Sequence, residues 1–148
     1  MPESTTSTCL NCTADALRQY LGQTANIPDI SDPDLELAVL EAPETIIQDA
    51  VIEFRISAYG FKQRMKHKYT KVTDTEIVAE QIDGPTRAWV HTQTISSTGP
   101  STCELVDHIQ FDPPGGMLGF VMTADKILDS IQDGMDFRYE TLQEKLDG

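Results

Sequence analysis

Hydrophobic and polar positions alternate with a period of two through the middle of the chain and change to a three-to-four spacing near its C-terminal end. Residues 4–11 form a short, Thr-rich segment that leans towards β structure. Thr13 and Asp15 then offer capping oxygens to a short helix carrying Leu17, Tyr20 and Leu21. A second helical piece is expected over residues 24–30, ended by the turn-rich run Ser31-Asp32-Pro33-Asp34. Leu35, Leu37 and Val39 alternate with polar or small neighbours. Residues 50–56 alternate more cleanly, with Ile52, Phe54 and Ile56 on one face and Glu53 and Arg55 on the other. Lys62, Arg64, Lys66 and Lys68 then share one parity, while Phe61, Met65, His67 and Tyr69 share the opposite one. A cationic row belongs in water, so His67 is expected to point inward with Met65 and Tyr69. Further strands are expected over 76–82, 87–95 and 102–111, separated by Asp83-Gly84-Pro85 and Ser97-Thr98-Gly99-Pro100. Consecutive strands joined by short turns give an antiparallel meander.

After Pro113-Pro114-Gly115-Gly116, Met117, Val121, Ala124, Leu128, Ile131, Met135, Tyr139, Leu142 and Leu146 follow one another at steps of three or four. That spacing predicts one long amphipathic helix, about 45 Å for some 30 residues. Asp125, Asp129, Asp133, Asp136, Glu140 and Glu144 fall elsewhere on its surface, as a solvated face or a docking surface. The expected class is α+β, a single domain over 1–148. Two short helices follow strand 1, and a curved seven-stranded antiparallel sheet wraps the C-terminal helix, the only element long enough to cover it.

Composition narrows the function. A chain of 148 residues can bury about 70% of its unfolded surface, enough for a substantial core. Its net charge of −13 excludes a uniformly basic footprint, so neither nucleic acid nor insertion into a membrane is expected. The N-terminus carries no basic and apolar leader pattern, and no apolar run approaches about 18 residues. With three Cys in no disulfide-framework spacing, a reducing, cytoplasmic setting is expected. Cys9-Leu10-Asn11-Cys12 is formally a CxxC, but it ends a strand instead of opening a helix, so its thiols are read as small buried hydrophobes. His67, His91 and His108 lack metal-ligand spacing; no metal and no cofactor are expected. The basic row, extended by Lys71, is expected to pair with Glu53, Glu76 and Glu80 across the outer sheet face. Gly134 costs the final helix about 1 kcal/mol against Ala; close packing and helix flexing are both open as reasons.

Gln81 with Gly84-Pro85, Trp89-Val90-His91, Asp107-His108-Ile109, Pro114-Gly115-Gly116-Met117-Leu118-Gly119 and Phe137-Arg138-Tyr139 occur in this order along the chain. The ordered set, between Ile52 and Leu142, resembles the SRPBCC superfamily of START-like helix-grip proteins, and within it the polyketide cyclase/dehydrase-like branch. The resemblance implies a deep, mostly apolar cavity between helix and sheet. It also implies a small hydrophobic ligand of lipid, hormone or polyketide kind, and a family in which some members are enzymes and many only bind or carry. The chain departs from the family pattern at Ala79, Thr86 and Gln93, where an acidic residue, an aromatic and a second His are common.

Strand register is read from the residues themselves. A hairpin symmetric about Gly99 sets His91 opposite Asp107, Trp89 opposite Ile109 and Gln93 opposite Leu105. Leu105, Ile109 and Phe111 form the apolar face of the last strand, which turns Asp107, and with it His91, inward. The same parity gives two cross-sheet rows: Tyr69, Ala79, His91 and Asp107, and beside it His67, Gln81, Trp89 and Ile109. Phe54, Met65, Tyr69, Trp89, Ile109, Phe111 and Met135 are therefore expected to line the cavity, with His67, Gln81, His91 and Asp107 as its polar contacts. An Asp beside a His in a low-dielectric site favours imidazolium or one fixed tautomer. His91 and Asp107 are candidate acid–base groups, with ligand orientation and a purely structural network as alternatives, and no residue is assigned a catalytic role. The leading expectation is a binder of a small hydrophobic molecule. The alternatives are a cyclase/dehydratase- or isomerase-type enzyme and an interaction protein without a ligand. Oligomeric state is left open.

Overall fold

The computed structural model describes residues 1–147. Seven strands form one antiparallel sheet in the order β1-β7-β6-β5-β4-β3-β2. They are β1 (Glu3–Leu10), β2 (Ala38–Glu41), β3 (Val51–Ala58), β4 (Phe61–Val72), β5 (Glu76–Asp83), β6 (Ala88–Gly99) and β7 (Thr102–Asp112). From β2 to β7 each strand pairs with its successor, the meander the turn signals dictate. β1 closes the far edge against β7, pairing Thr6 with Asp107. Helix α1 (Ala14–Leu21) starts at Thr13, whose hydroxyl accepts from the Ala16 amide, and buries Leu17 and Leu21.

The stretch after α1 is tighter than expected. In place of one helical piece there are two 3-10 turns, Thr24–Asn26 and Pro28–Ile30, and Pro33–Leu35 forms a third. Leu35 therefore lies outside β2. Asp32 caps that third turn by accepting from the Asp34 amide, Pro33 supplies a fixed φ, and Glu36 ends it at φ 48°. Extended backbone resumes at Ala38.

The C-terminal helix also differs from the expectation of one continuous element. A single turn, α2 (Leu118–Val121), is separated from α3 (Ala124–Leu146) by Met122 at φ −97°, ψ 69°. Thr123 restarts the helix by accepting from the Lys126 amide, a capping signal that the apolar spacing had hidden. At 23 residues α3 is about 35 Å long. Its buried stripe is Ile127, Ile131, Met135, Arg138 and Leu142. Leu128 and Tyr139 are only half-buried, and Met117 lies outside α3 and is exposed.

Helix α3 lies across the inner face of the sheet. Gln143 donates to the Thr8 hydroxyl of β1, Tyr139 and Arg138 reach Asp107 of β7, and Tyr59, at the β3–β4 turn, bonds the Ser130 hydroxyl. Ile127, Ile131 and Met135 pack with Ile109, Phe111 and Met122. A second cluster joins Leu10, Leu17 and Leu21 to Ile77, Ile95, Leu105 and Leu142. On the outer face the basic row of β4 finds acidic partners. Arg64 meets Glu53 at 2.7 Å and Lys71 meets Glu76 at 3.2 Å, while Lys68 is 3.9 Å from Asp49. Glu80 sits opposite Lys68 in the ladder. These exposed pairs add little stability and mainly keep the outer face wet.

Candidate functional site: an apolar cavity with a polar end

Between α3 and the sheet lies a cavity of about 310 Å³, at the small end of the range of about 300–1,000 Å³ for small-molecule sites. Ile52 and Phe54 of β3, Met65 of β4, Trp89 of β6, Ile109 of β7 and Ile127, Ile131 and Met135 of α3 supply most of its apolar wall. Ile27, between the first two 3-10 turns, and Ile30 and Leu35 within the second and third line another side. The period-two strands and the three-to-four spacing of α3 place these side chains on facing surfaces.

Phe54, Met65, His67, Tyr69, Gln81, Trp89, His91, Ile109 and Met135 all line the cavity. Phe111 and Asp107 face the same side of the sheet but lie behind its wall. Phe111 is fully buried in the cluster with Met122 and Ile127, its ring centroid 5.7 Å from that of Trp89. Asp107 is covered by Arg138 and Tyr139.

The β6–β7 register differs by two residues from a symmetric hairpin. His91 pairs with Ile109, Gln93 with Asp107 and Trp89 with Phe111, so these pairs centre one residue later than Gly99, on Pro100. A slip of two leaves every side chain on its expected face. His91 and Asp107 consequently meet diagonally, with Nε2 and Oδ1 2.7 Å apart. The pairs Tyr69–Ala79, Ala79–His91 and His67–Gln81 hold as expected. Asp107 and Ile109 are not the His91 and Trp89 partners that ended the two rows.

Asp107 is the centre of a closed network. Its Oδ2 accepts from Arg138 Nε at 3.2 Å and from the Tyr139 hydroxyl at 2.9 Å. Its Oδ1 accepts from His91 Nε2 and from Arg138 Nη2. Arg138 Nη2 also donates to Gln93 Oε1 at 2.6 Å, and the Tyr139 oxygen lies 2.7 Å from the Thr6 hydroxyl. Burial opposes ionisation of the carboxyl, but the Arg138 guanidinium and the bonds from His91 and Tyr139 outweigh it and hold the pKa down at about 2. An ionised Asp107 can only accept, so His91 presents an N–H from Nε2 to it, and Nδ1 has no hydrogen-bond partner among the described residues. Asp107 thus fixes the imidazole from behind, and His91 is the member of the pair that lines the cavity.

Tyr69 is 5% exposed, yet its hydroxyl makes no hydrogen bond to the described residues; burial raises its pKa to about 12. His67 packs edge-on against Phe54 at 4.7 Å between ring centroids, and its Nε2 is buried without a partner. Burial, with His91 nearby, pushes that imidazole down to about 4, so it is neutral at physiological pH. Gln81 is engaged elsewhere. Its amide donates to the Thr86 carbonyl and its oxygen accepts from the Thr86 hydroxyl, a clasp over the Gly84-Pro85 turn at the cavity's edge.

Arg138, Tyr139, Gln93 and Thr6 escaped the sequence reading of the site. The signal for Arg138 was present: it stands three residues after Met135 and four before Leu142, a lone charge on an otherwise apolar stripe. Thr6 reaches the network only through the β1–β7 pairing, which no local pattern announces. The thiols are not all buried. Cys9 is exposed, on the outward parity of its edge strand, while Cys12 is half-buried with its sulfur 3.9 Å from that of buried Cys103. No cluster of three or more His, Cys, Asp or Glu that could hold a metal ion occurs among the described residues. Likewise no helix among them is long and apolar enough to cross a membrane.

Gly134 lies on the cavity-facing side of α3, and a Cβ built there meets no atom within 4 Å. Close helix packing is therefore not its reason; it leaves cavity volume. Gly134→Ala is expected to stabilise the fold by about 0.5–1 kcal/mol in urea unfolding, and a loss of stability would show that α3 needs the glycine.

No protein-family model matches the chain, and no curated protein matches its sequence. Solved structures do match. Over 97% of this chain and 92% of the other, it superposes on the ZhuI aromatase/cyclase from Streptomyces sp. R1128 with a TM-score of 0.77 at 14% identity. It matches ginseng major latex-like protein 151 from Panax ginseng with a TM-score of 0.64 at 12% identity, covering 94% and 95% of the two chains. A START superfamily protein from Mycobacterium smegmatis gives 0.64 at 13% identity over 95% and 98%. The fold is the α+β helix grip of START-like, polyketide cyclase-like proteins, in line with the resemblance carried by the sequence.

Proposed function

We propose that the chain binds one small hydrophobic molecule in the cavity between the sheet and α3. The carrying observation is the cavity's composition: apolar side chains from both layers make most of its wall, and Tyr69, His91 and Arg138 are among the polar groups on it that can orient a ligand. Structural neighbours that include an aromatase/cyclase and a START superfamily protein support the same reading. Mass spectrometry of gently purified protein under native and denaturing conditions tests it. A stoichiometric small adduct, lost on denaturation, is the expected result. A bare polypeptide mass together with no thermal shift from any of a set of hydrophobic ligands would count against it. Trp89→Ala and His91→Ala are each expected to weaken a bound ligand about tenfold or more, and unchanged affinity in both would remove these residues from the site.

A second reading, turnover of the bound molecule by a cyclase-, dehydratase- or isomerase-type reaction, rests on the 2.7 Å contact between His91 and Asp107. In it His91 Nδ1 takes a proton from the ligand as general base, while Asp107 holds the ring and stabilises the imidazolium that forms. It predicts a bell-shaped pH–rate profile in the wild type that Asp107→Asn flattens; full rate in that variant would discard it.

A further inference from the structure

The three thiols of the chain gather where β1, α1 and β7 meet, and the fold treats them differently. Cys9, opposite Glu104 in the β1–β7 ladder, is exposed on the outward parity of its strand. Cys103, one pair along and opposite Leu10, turns inward and is fully buried. Cys12 lies in the bend between Leu10 and Thr13, the cap of α1, and is half-buried. Although 91 positions separate them in the chain, the Cys12 and Cys103 sulfurs are 3.9 Å apart. Asn11, in the same bend, donates its amide to Asp147 Oδ1 at 2.8 Å, which seats the end of α3 beside the pair. Neither sulfur lines the cavity, so the binding reading leaves both unused.

We propose that Cys12 and Cys103 form an oxidisable dithiol, which a low-molecular-weight disulfide such as oxidised glutathione converts to an internal Cys12–Cys103 bond. A disulfide holds its sulfurs about 2 Å apart, so each has only about 1 Å to travel, within reach of rotation about its Cα–Cβ bond. Exposure sets the order of events. Cys12 reaches solvent and Cys103 does not, and burial, with Cys12 beside it, pushes the Cys103 thiol up to about 12. Cys12, as thiolate, attacks one sulfur of the oxidant and expels the first small thiolate, which takes up the proton that Cys12 gave. Cys103 then attacks the Cys12 sulfur, and its proton leaves with the second small thiol. The protein loses two hydrogen atoms, and the oxidant is reduced to two thiols. Cys9 takes no part, because it stands on the opposite face of β1 from Cys103. The bond ties the β1–α1 junction to β7 and closes a long loop, which restricts the unfolded chain.

The test takes reduced, folded wild-type protein, exposes it to oxidised glutathione, blocks the remaining thiols with N-ethylmaleimide and maps the peptides by mass spectrometry. A peptide joining Cys12 to Cys103, with the label on Cys9 alone, is the expected result. Cys9→Ser is expected to form the same bond, and Cys12→Ser to form none. The oxidised wild type is expected to melt about 10 °C above the reduced protein, a gain that dithiothreitol reverses. A Cys9–Cys12 bond, glutathione held on Cys12 with no internal bond, or three thiols still labelled in the folded protein would each overturn the proposal. A melting temperature lowered by oxidation would do the same, since the bond would then form only against the native packing.

Discussion

Asp107→Ala is expected to destabilise the fold by about 3–5 kcal/mol, because it strands the Arg138 guanidinium in the interior without its counter-charge. Arg138 sits over Asp107 with two bonds to it and is itself buried. The variant also leaves the Tyr139 hydroxyl and His91 Nε2 without their acceptor. Against a whole-domain stability of about 5–15 kcal/mol, that loss populates unfolded chain under mild conditions. Removing both charges is a different experiment. Asp107→Leu combined with Arg138→Met eliminates the desolvated ion pair instead of breaking it, and is expected to recover most of the loss. Urea unfolding of the three proteins decides the matter. A double variant no more stable than Asp107→Ala would contradict the assignment of the cost to an uncompensated Arg138.

Acid is expected to weaken the fold in two steps, the first set by His67. Its folded pKa, about 4, lies below the ordinary value of 6.5. The unfolded chain therefore takes up a proton first as pH falls. The contribution of His67 is fully present above pH 6.5 and is lost on descending towards pH 4, at a cost of about 2–3 kcal/mol. Asp107 acts lower down. With a folded pKa of about 2 against 3.8, it contributes stability above pH 3.8 that disappears as pH falls through 2, about 2 kcal/mol in all. His67→Phe should abolish the first step. The replacement also removes a buried nitrogen that has no partner, so no loss of stability is expected at pH 7. The quantity to measure is the difference in urea-unfolding free energy between wild type and His67→Phe from pH 7 to pH 4. A difference that stays constant across that range would contradict a buried, neutral His67.

The architecture was legible because it rests on patterns that burial enforces. A cationic row on one parity of β4 fixes which way Met65, His67 and Tyr69 point, and Gly-Pro turns fix where strands end. What local pattern could not convey was the identity of contacts across the sheet. The β6–β7 hairpin centres one residue later than Gly99, which moves the partner of Asp107 from His91 to Gln93, and side-chain parity is blind to a slip of two. The helix break at Met122 was invisible to hydrophobic spacing, since the apolar positions run on through it. Three positions singled out in the sequence take on physical meaning in the fold. Ala79 sets only a methyl group between Tyr69 and His91, Thr86 holds Gln81 at the turn, and Gln93 accepts from Arg138.

The most direct test of a ligand-binding cavity uses Trp89, the single tryptophan and part of the cavity wall, as the reporter. Titration with N-phenyl-1-naphthylamine is followed by quenching of Trp89 emission in wild type and in Gly134→Leu, whose side chain projects from α3 into open cavity space. Saturable one-to-one quenching in the wild type, weakened about tenfold or more in Gly134→Leu, is the predicted result. No saturable binding, or identical binding by the two proteins, would contradict a site between the sheet and α3.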